Sequence, residues 1–252
     1  MYPLLIAIAV GTSITLSLIL FPQDPFYWFG PFAGFVGFLP TFMLLTRRTA
    51  DKVQPLFEQA AKQAQAGNVP KAVETFQSIL VFKRWQFFLE QQVNTQIGIL
   101  RYGAGEEDLA VEHLRNGYPK ISEGHLILGT ILYKQGKLEE AKQAFELGLR
   151  FNKKSPILYN VYAYVLSEAG QKDAAIEVLN RGLKKVPGDE ETQDNLQRLQ
   201  NDKKLNMKPF GQLWFMLKFE TPKGMQAAPQ VRKGFRAPPK GKGRERRKKA
   251  RK

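Results

Sequence analysis

The chain has 252 residues, of which 43% are hydrophobic, and a formal net charge of +15. It contains no cysteine and only two histidines, which excludes disulfides, thiolate metal sites, iron–sulfur clusters and cysteine nucleophiles, and disfavours an enzyme. The 21 residues from Arg232 to Lys252 hold 12 bases and one acid, whereas the rest of the chain has 26 bases and 22 acids. A nearly balanced body disfavours wholesale nucleic-acid binding, so any polyanion contact is expected in the C-terminal segment.

Two uncharged stretches at the N-terminus are each long enough to span a membrane. No charged side chain occurs from Met1 to Gln23 or from Pro25 to Thr46. A helix of roughly 20 apolar residues crosses the hydrocarbon core of a bilayer. Asp24 and the flanking prolines break the helix between the two stretches. The sequence therefore predicts a transmembrane helical hairpin in residues 1–48, with helices at about 2–21 and 26–45.

The second predicted span has a periodic arrangement of aromatic and small residues. Phenylalanines recur every three residues, and Gly30 and Gly34 form a small-xxx-small pair. This pattern predicts that the rings face lipid while the glycines contact the other helix of the hairpin. Dimerisation through the two glycines is the alternative.

Charges flanking the spans predict the orientation of the chain. Arg47, Arg48 and Lys52 follow the second span directly, whereas the loop between the spans has no base. The positive-inside rule then places both termini and the remaining chain in the cytoplasm. A cleaved signal peptide is disfavoured because the first span lacks a basic n-region and a clear cleavage site, and a second span follows at once. We therefore expect an integral protein of the plasma or inner membrane.

An internal repeat of four copies follows the spans. Three columns of residues keep a common spacing. They are Gly67, Gly105, Gly136 and Gly170; Ala72, Ala110, Ala141 and Ala175; and Phe76, Leu114, Phe145 and Leu179. The glycine ends one helix, the alanine permits close helix approach, and the larger residue fills the groove between two helices. Each copy is thus a helical hairpin that must stack on its neighbours to bury its apolar face.

The last two copies carry the pattern most fully. The third copy, about 122–155, has Leu128, Gly129, Gly136, Ala141, Phe145, Gly148 and Leu149. The fourth, about 156–189, has Tyr159, Ala163, Gly170, Ala175, Gly182, Leu183 and Pro187. On these residues the sequence resembles the tetratricopeptide repeat family, although no copy has the tryptophan of that motif and copies one (about 53–86) and two (about 91–121) are more divergent.

The resemblance implies an all-α fold, with a solenoid of about four helical hairpins in residues 53–201. After Pro187, the polar segment from Asp189 to Asn201 is acidic at its start, which suits a helix N-terminus. This segment is predicted to be the cap helix that closes the stack.

Proteins similar to this family bind peptides or partner helices on a concave surface formed by the first helix of each hairpin. The resemblance places ten residues in that groove: Thr95, Gln96, Ile99, Tyr102, Leu126, Thr130, Tyr133, Asn160, Tyr164 and Ser167. The lining is aromatic and polar but uncharged, so it lacks the basic clamp with which some family members hold a C-terminal carboxylate. We expect an uncharged or mixed peptide, bound by stacking and hydrogen bonds. In the alternative, the tyrosines merely pack between hairpins.

No catalytic or metal-binding constellation stands out. His113 and His125 lie on different predicted helices, and no acidic residue near them has metal-ligand spacing. Acidic residues cluster near the starts of second helices, where they favour the helix dipole. We therefore expect no cofactor, no metal and no enzymatic activity.

The C-terminal fifty residues divide into two parts. Residues 202–221 are aromatic and too short to span a bilayer, which favours contact with the membrane surface over packing on the last repeat. Residues 222–252 combine low apolar content with like charges, which predicts a disordered tail. The residues expected to bind polyanions there are Arg244, Arg246, Arg247, Lys248, Lys249, Arg251 and Lys252. Anionic lipid and RNA or ribosome are equally weighted ligands, and a merely solubilising tail is the alternative.

These observations favour a membrane-anchored adaptor that recruits a protein partner through its groove at the cytoplasmic face. A membrane-tethered RNA- or ribosome-binding protein that acts through the basic tail is the main alternative. A third hypothesis is an assembly factor whose hairpin binds other membrane spans.

Overall fold

The computed structural model describes residues 1–20 and 29–220. All regular elements in these ranges are helical, which confirms the predicted all-α class. The helices are α1 (Tyr2–Leu20), α2 (Gly30–Gln65), α3 (Val69–Ile79), α4 (Leu89–Gly103), α5 (Glu107–Arg115), α6 (Ser122–Lys134), α7 (Leu138–Phe151), α8 (Pro156–Glu168), α9 (Lys172–Lys185), α10 (Glu190–Gln200) and α11 (Gly211–Met216).

The antiparallel helices α1 and α2 pack through small residues. A Cβ atom added at Gly34 would lie 2.5 Å from the carbonyl oxygen of Gly11, so this position does not accommodate a side chain. Thr15 Oγ1 donates a hydrogen bond of 3.1 Å to the carbonyl oxygen of Gly30. Phe32 and Phe35 are 66% and 55% exposed on the outside of the pair. The glycines thus contact the partner helix and these two rings face outward, as the periodicity predicts, whereas Phe38 is half-buried with its Cβ beside Gly11.

One helix of the described residues, α1, is long and apolar enough to cross a membrane. The predicted second span is not a separate helix, because α2 has 36 residues and continues past Arg47 and Arg48 to Gln65. The predicted boundary between the spans and the repeats therefore falls inside α2. The physical reason is that residues 46–54 contain no glycine or proline, and a basic residue ends an apolar stretch without ending a helix.

Four helical hairpins follow along the chain. They consist of the C-terminal half of α2 with α3, α4 with α5, α6 with α7, and α8 with α9. The column glycines at 67, 105, 136 and 170 have φ values of 77°, 86°, 76° and 76°, the left-handed conformation that ends a helix. The column alanines are fully buried, and the column apolar residues are at most 5% exposed. Each column therefore has the packing role that its spacing predicts.

The helix α10 occupies the position predicted for the cap helix. Its N-terminus is capped by Asp189, whose carboxylate accepts a hydrogen bond of 3.0 Å from the Thr192 backbone N–H. Buried Asn160 of α8 donates to Thr192 Oγ1 at 2.7 Å and accepts from Asn195 Nδ2 at 2.8 Å. Asn195 Oδ1 in turn accepts from the backbone N–H of Asn206 at 2.6 Å. This polar network fixes the cap helix and the chain after it to the fourth hairpin.

The close contact at Gly129 yields a stability prediction. A Cβ atom at this position would lie 2.5 Å from Cζ of Phe145, which is fully buried. Gly129→Ala should therefore lower the free energy of unfolding by about 1–3 kcal/mol, the usual cost of overpacking a core. Gly103→Ala is the matched control, because no atom lies within 4 Å of its added Cβ. Denaturant unfolding followed by circular dichroism should separate the two variants, and equal stability would contradict the packing.

The buried amide network yields a second prediction. Asn160→Ala leaves Asn195 and Thr192 without their buried partner and should cost about 1–3 kcal/mol of unfolding free energy. Asn180→Ala is the control, since Asn180 is exposed and bonds only within α9. Its effect should stay within about 0.5 kcal/mol. Similar losses in both variants would show that the network does not stabilise the cap.

Candidate functional site

The candidate site is the face formed by the first helices α4, α6 and α8 and by the cap helix α10, which we call the groove. Residues 205–219, here called the C-terminal segment, lie across this face. Near its start the segment is bonded to Asn195 of α10. It then passes Tyr164 of α8 and Tyr133 of α6 and reaches Tyr102 of α4. The segment therefore crosses the groove in the direction opposite to the order of the repeats.

An aromatic cluster holds the middle of the segment. Trp214 is fully buried and meets the Tyr164 ring edge-on, with a centroid distance of 4.8 Å. Phe219 stacks on Trp214 at 5.1 Å and lies 6.2 Å from the ring of Tyr133. Leu217 is also fully buried. Burying one such leucine stabilises a contact by about 1.5–3 kcal/mol relative to exposure, so these side chains are the main apolar anchors of the segment.

Two lysines make the polar contacts of the site. Lys134 Nζ at the end of α6 donates to the carbonyl oxygens of Leu217 at 2.8 Å and Lys218 at 3.3 Å. Those carbonyls follow the end of α11, where the helix provides no partner for them. Lys218 Nζ donates to the carbonyl oxygen of Tyr102 at 3.3 Å and lies 4.8 Å from the centre of its ring. The segment is thus held by backbone and cation–π contacts at its far end.

Burial changes the ionisation of groups in the groove. It raises the pKa of Tyr164 to about 12, with the nearby charges of Glu168 and Glu220 acting in the same direction. Burial likewise raises the pKa of Tyr102. It lowers the pKa of Lys134, an effect that Glu107 opposes. Both tyrosine hydroxyls therefore stay neutral at physiological pH, and the groove offers stacking and hydrogen bonding rather than anionic charge.

The structure separates the ten residues predicted for the groove. The three tyrosines Tyr102, Tyr133 and Tyr164 come together on the segment, and Gln96, Ile99 and Ser167 are half-buried. The other four are at most 1% exposed with the segment in place, and none of them makes a hydrogen bond or ring contact to it: Thr95, Leu126, Thr130 and Asn160. The reason is that each first helix lies between its own second helix and a neighbouring unit, so most of its circumference is buried. Thr95, for example, accepts a hydrogen bond of 2.7 Å from the Tyr118 backbone N–H.

Two features of the site differ from the sequence-based expectation. The groove was expected to be uncharged, yet Lys134 donates hydrogen bonds to two backbone carbonyl oxygens of the segment. No local sequence pattern distinguishes this lysine from those on exposed helix ends. Residues 202–221 were expected to favour the membrane surface, whereas residues 205–219 pack on the repeats, which was the alternative. Trp214 and Leu217 find a protein surface that buries them completely.

The remaining candidate sites of the sequence are the basic tail and the two histidines. Residues 221–252, including every predicted polyanion-binding residue, lie outside the described residues, and RNA or ribosome binding stays a prediction. His113 contacts Asn94, and His125 contacts the carbonyl oxygen of Pro119; burial lowers the pKa of both. Within the described ranges, no group of three or more His, Asp or Glu converges as a metal site.

Two of the solved structures to which this chain is similar bear the same protein name. One, titled "Crystal structure of MamA", has a TM-score of 0.44 and 15% identity, and the alignment covers 66% of this chain and 96% of that chain. The other, titled "Crystal structure of MamA protein", has a TM-score of 0.44 and 14% identity, with coverage of 71% and 91%. No curated protein sequence matches the chain.

A family model described as tetratricopeptide repeat matches residues 132–199. This range extends from the end of α6 to α10 and so includes most of the last two hairpins and the cap helix. The match supports the tetratricopeptide resemblance for these units, and that fold indicates a scaffold for protein–protein interaction.

Proposed function

We propose that the chain is a non-enzymatic adaptor, anchored in a membrane, whose groove binds an aromatic segment of a protein partner at the cytoplasmic face. The observation that carries this proposal is the position of the C-terminal segment. It lies across α4, α6 and α8 with an aromatic anchor, a short helix and backbone carbonyls that accept hydrogen bonds from Lys134. Peptides that bind helix grooves use the same combination of apolar anchors and backbone contacts.

The contacts of the segment define the chemistry of the partner. The space beside Tyr133 and Tyr164 holds aromatic rings, and Lys134 donates hydrogen bonds to the carbonyl oxygens at the C-terminal end of a short helix. The ring of Tyr102 accepts a cation. A matching partner therefore has a short amphipathic helix with tryptophan or phenylalanine, followed by a lysine or arginine.

The C-terminal segment also competes with such a partner. It is joined to α10 by a short connection, and a short tether gives an effective concentration on the order of millimolar. A partner must displace the segment, so binding requires either higher affinity or a high local concentration at the membrane. The groove is thereby protected from weak, non-specific apolar ligands.

Membrane anchoring is supported by the outer surface of the α1–α2 pair. Leu5, Leu16 and Leu20 of α1 are 60%, 57% and 64% exposed, and Met43 and Leu44 of α2 are 68% and 59% exposed. A contiguous apolar surface of this kind is rare on proteins in water and typical of contact with lipid. The bases that follow at 47, 48 and 52 favour the cytoplasmic side for the repeats.

A segment-exchange experiment tests the groove. A protease site inserted between Asp202 and Lys203, which are both exposed, allows the segment to be cut from the folded, detergent-solubilised chain. A fluorescent peptide of residues 203–220 should then replace it, as measured by anisotropy. Tyr133→Ala with Tyr164→Ala should weaken binding of the peptide on the order of tenfold or more, because two ring contacts are lost.

The matched control is Leu147→Ala with Phe151→Ala, two exposed apolar residues of α7 that are 44% and 45% exposed. This variant should bind the peptide as the parent does. If the cut, folded chain excludes the peptide at every concentration, the segment is a permanent part of the core and the groove is not a binding site.

A topology experiment tests the anchor. The chain has no native cysteine, so a maleimide labels the protein only at the cysteine that is introduced. In intact cells a membrane-impermeant maleimide should label a cysteine at Gln23, in the predicted loop between spans, and should not label one at exposed Lys153 on the repeats until the cells are lysed. Both variants should resist extraction from membranes by alkaline carbonate. Labelling of the Lys153 position in intact cells, or release by carbonate, would contradict the proposed anchoring.

A further inference from the structure

The loop that joins α3 to α4, residues 80–88, has an unusual surface that the groove does not use. Val81 is 79% exposed and Phe87 is 41% exposed. Lys83 and Arg84 are exposed between them. Apolar side chains on a loop tip, interleaved with cations, are typical of segments that enter the interface of an anionic membrane.

The loop is attached to the first residues of α1. The backbone N–H of Tyr2 donates to the carbonyl oxygen of Arg84 at 2.9 Å, and Arg84 Nη1 donates to the Tyr2 hydroxyl at 3.0 Å. The rings of Tyr2 and Trp85 meet edge-on at a centroid distance of 5.3 Å. The loop therefore lies at the level where the candidate span begins.

The register of the α1–α2 pair shows which residues of α2 lie at the same height as Tyr2 and the loop. Thr15 lies opposite Gly30 and Gly11 lies opposite Gly34. Extending this antiparallel register places Tyr2 opposite Met43, near the end of the apolar part of α2 and four residues before Arg47. The loop, the start of α1 and the end of the apolar part of α2 thus share one plane, at which tyrosine, tryptophan and basic residues are favoured in membrane proteins.

A cleft lies between α2 and the loop at this plane, and we call it the interface cleft. It has a volume of about 360 Å³ and is lined by Leu45, Arg48, Thr49, Lys52, Phe82 and Trp85. Its lining is apolar on the Leu45, Phe82 and Trp85 sides, and Arg48 and Lys52 supply two cations. Neither cation forms an ion pair with the residues that the structure describes.

The charge around the cleft favours an anion. Arg47 and Arg84 add two further exposed cations, whereas Asp51 is the exposed acid on the same turn of α2. Glu90, which follows the loop on α4, is paired with Lys83 at 3.2 Å. A ligand of the cleft is thus an anion that also carries an apolar portion, and it is located beside a helix pair with a lipid-like outer surface.

We propose that the interface cleft binds the headgroup of an anionic phospholipid of the cytoplasmic leaflet. Arg48 and Lys52 contact the phosphate, while Leu45, Phe82 and Trp85 contact the start of the acyl chains. Val81 and Phe87 enter the same leaflet beside it. This proposal rests on the proposed membrane anchoring and adds the lipid class and the contact residues.

The experiment uses the full chain with one introduced cysteine, labelled with an environment-sensitive NBD probe and reconstituted in lipid nanodiscs. The three positions are Phe87 on the loop, Ile8 on α1 and Leu147 on α7, with exposed fractions of 41%, 45% and 44%. Nitroxide lipids labelled near the headgroup should quench the probe at Phe87 several-fold more than the probe at Leu147. Titration with short-chain phosphatidylglycerol should shift the fluorescence emission of the probe at Phe87. Titration with phosphatidylcholine should shift it only weakly.

Charge variants test the cations of the cleft. Arg48→Gln with Lys52→Gln should weaken the response to phosphatidylglycerol by roughly tenfold to thirtyfold, the loss expected for two bases at an anionic surface. Lys153→Gln with Lys184→Gln removes two bases that lie together at a different surface and should leave the response unchanged.

The outcomes distinguish this proposal from the anchoring on which it depends. Quenching at Ile8 without quenching at Phe87 overturns the lipid-binding cleft and leaves the anchor intact. Absence of quenching at Ile8 overturns the anchor itself. A response of the Phe87 probe to inorganic phosphate or to single-stranded RNA equal to that to phosphatidylglycerol overturns the assignment of the cleft to lipid.

Discussion

A helical hairpin has an apolar face that it cannot cover by itself, and the architecture of this chain follows from that constraint. Between units the face is covered by the next hairpin, as where the buried ring of Phe145 in α7 stacks on Tyr162 of α8 at a centroid distance of 5.1 Å. At the C-terminal end α10 covers it, fixed by the amide network around Asn160. On the side of the first helices the C-terminal segment covers it through Trp214. The segment is thus a solution to the same problem that stacking solves elsewhere.

This origin explains why the groove is occupied and why we propose that it binds peptides. A face that is apolar enough to hold the stack together leaves tyrosines and backbone groups that a second chain can contact, and the nearest chain is the one that follows the cap helix. Lys134 adds a directional contact to this coverage, since it donates to carbonyl oxygens that follow the end of α11. Apolar burial therefore supplies affinity, and the lysine selects the orientation of the segment.

The fold was largely predictable because its signals are local and recur. The glycine, alanine and aromatic columns each act within one hairpin, so periodicity was sufficient to find them. The course of residues 205–219 was not predictable in this way. The contact from Lys218 to Tyr102 joins positions 116 residues apart, and an aromatic segment with a lysine suits a membrane surface and a protein groove equally. The end of the second predicted span was missed for a related reason: charge marks where lipid contact ends, whereas α2 continues because its backbone hydrogen bonds do not depend on charge.

The continuity of α2 has a mechanical consequence for an anchored scaffold. A helix of 36 residues is about 54 Å long at 1.5 Å per residue. Its N-terminal half packs on α1, and its C-terminal half forms the first repeat with α3. In the proposed anchoring, a helix rather than a flexible linker would set the orientation of the repeats relative to the membrane. Pro40 and Pro55 are the positions in α2 at which it bends most easily. The contact of the 80–88 loop with Tyr2 closes a second connection between the two parts. Two connections restrain tilt more than one, so under the proposed anchoring they would limit how far the groove can move relative to the bilayer.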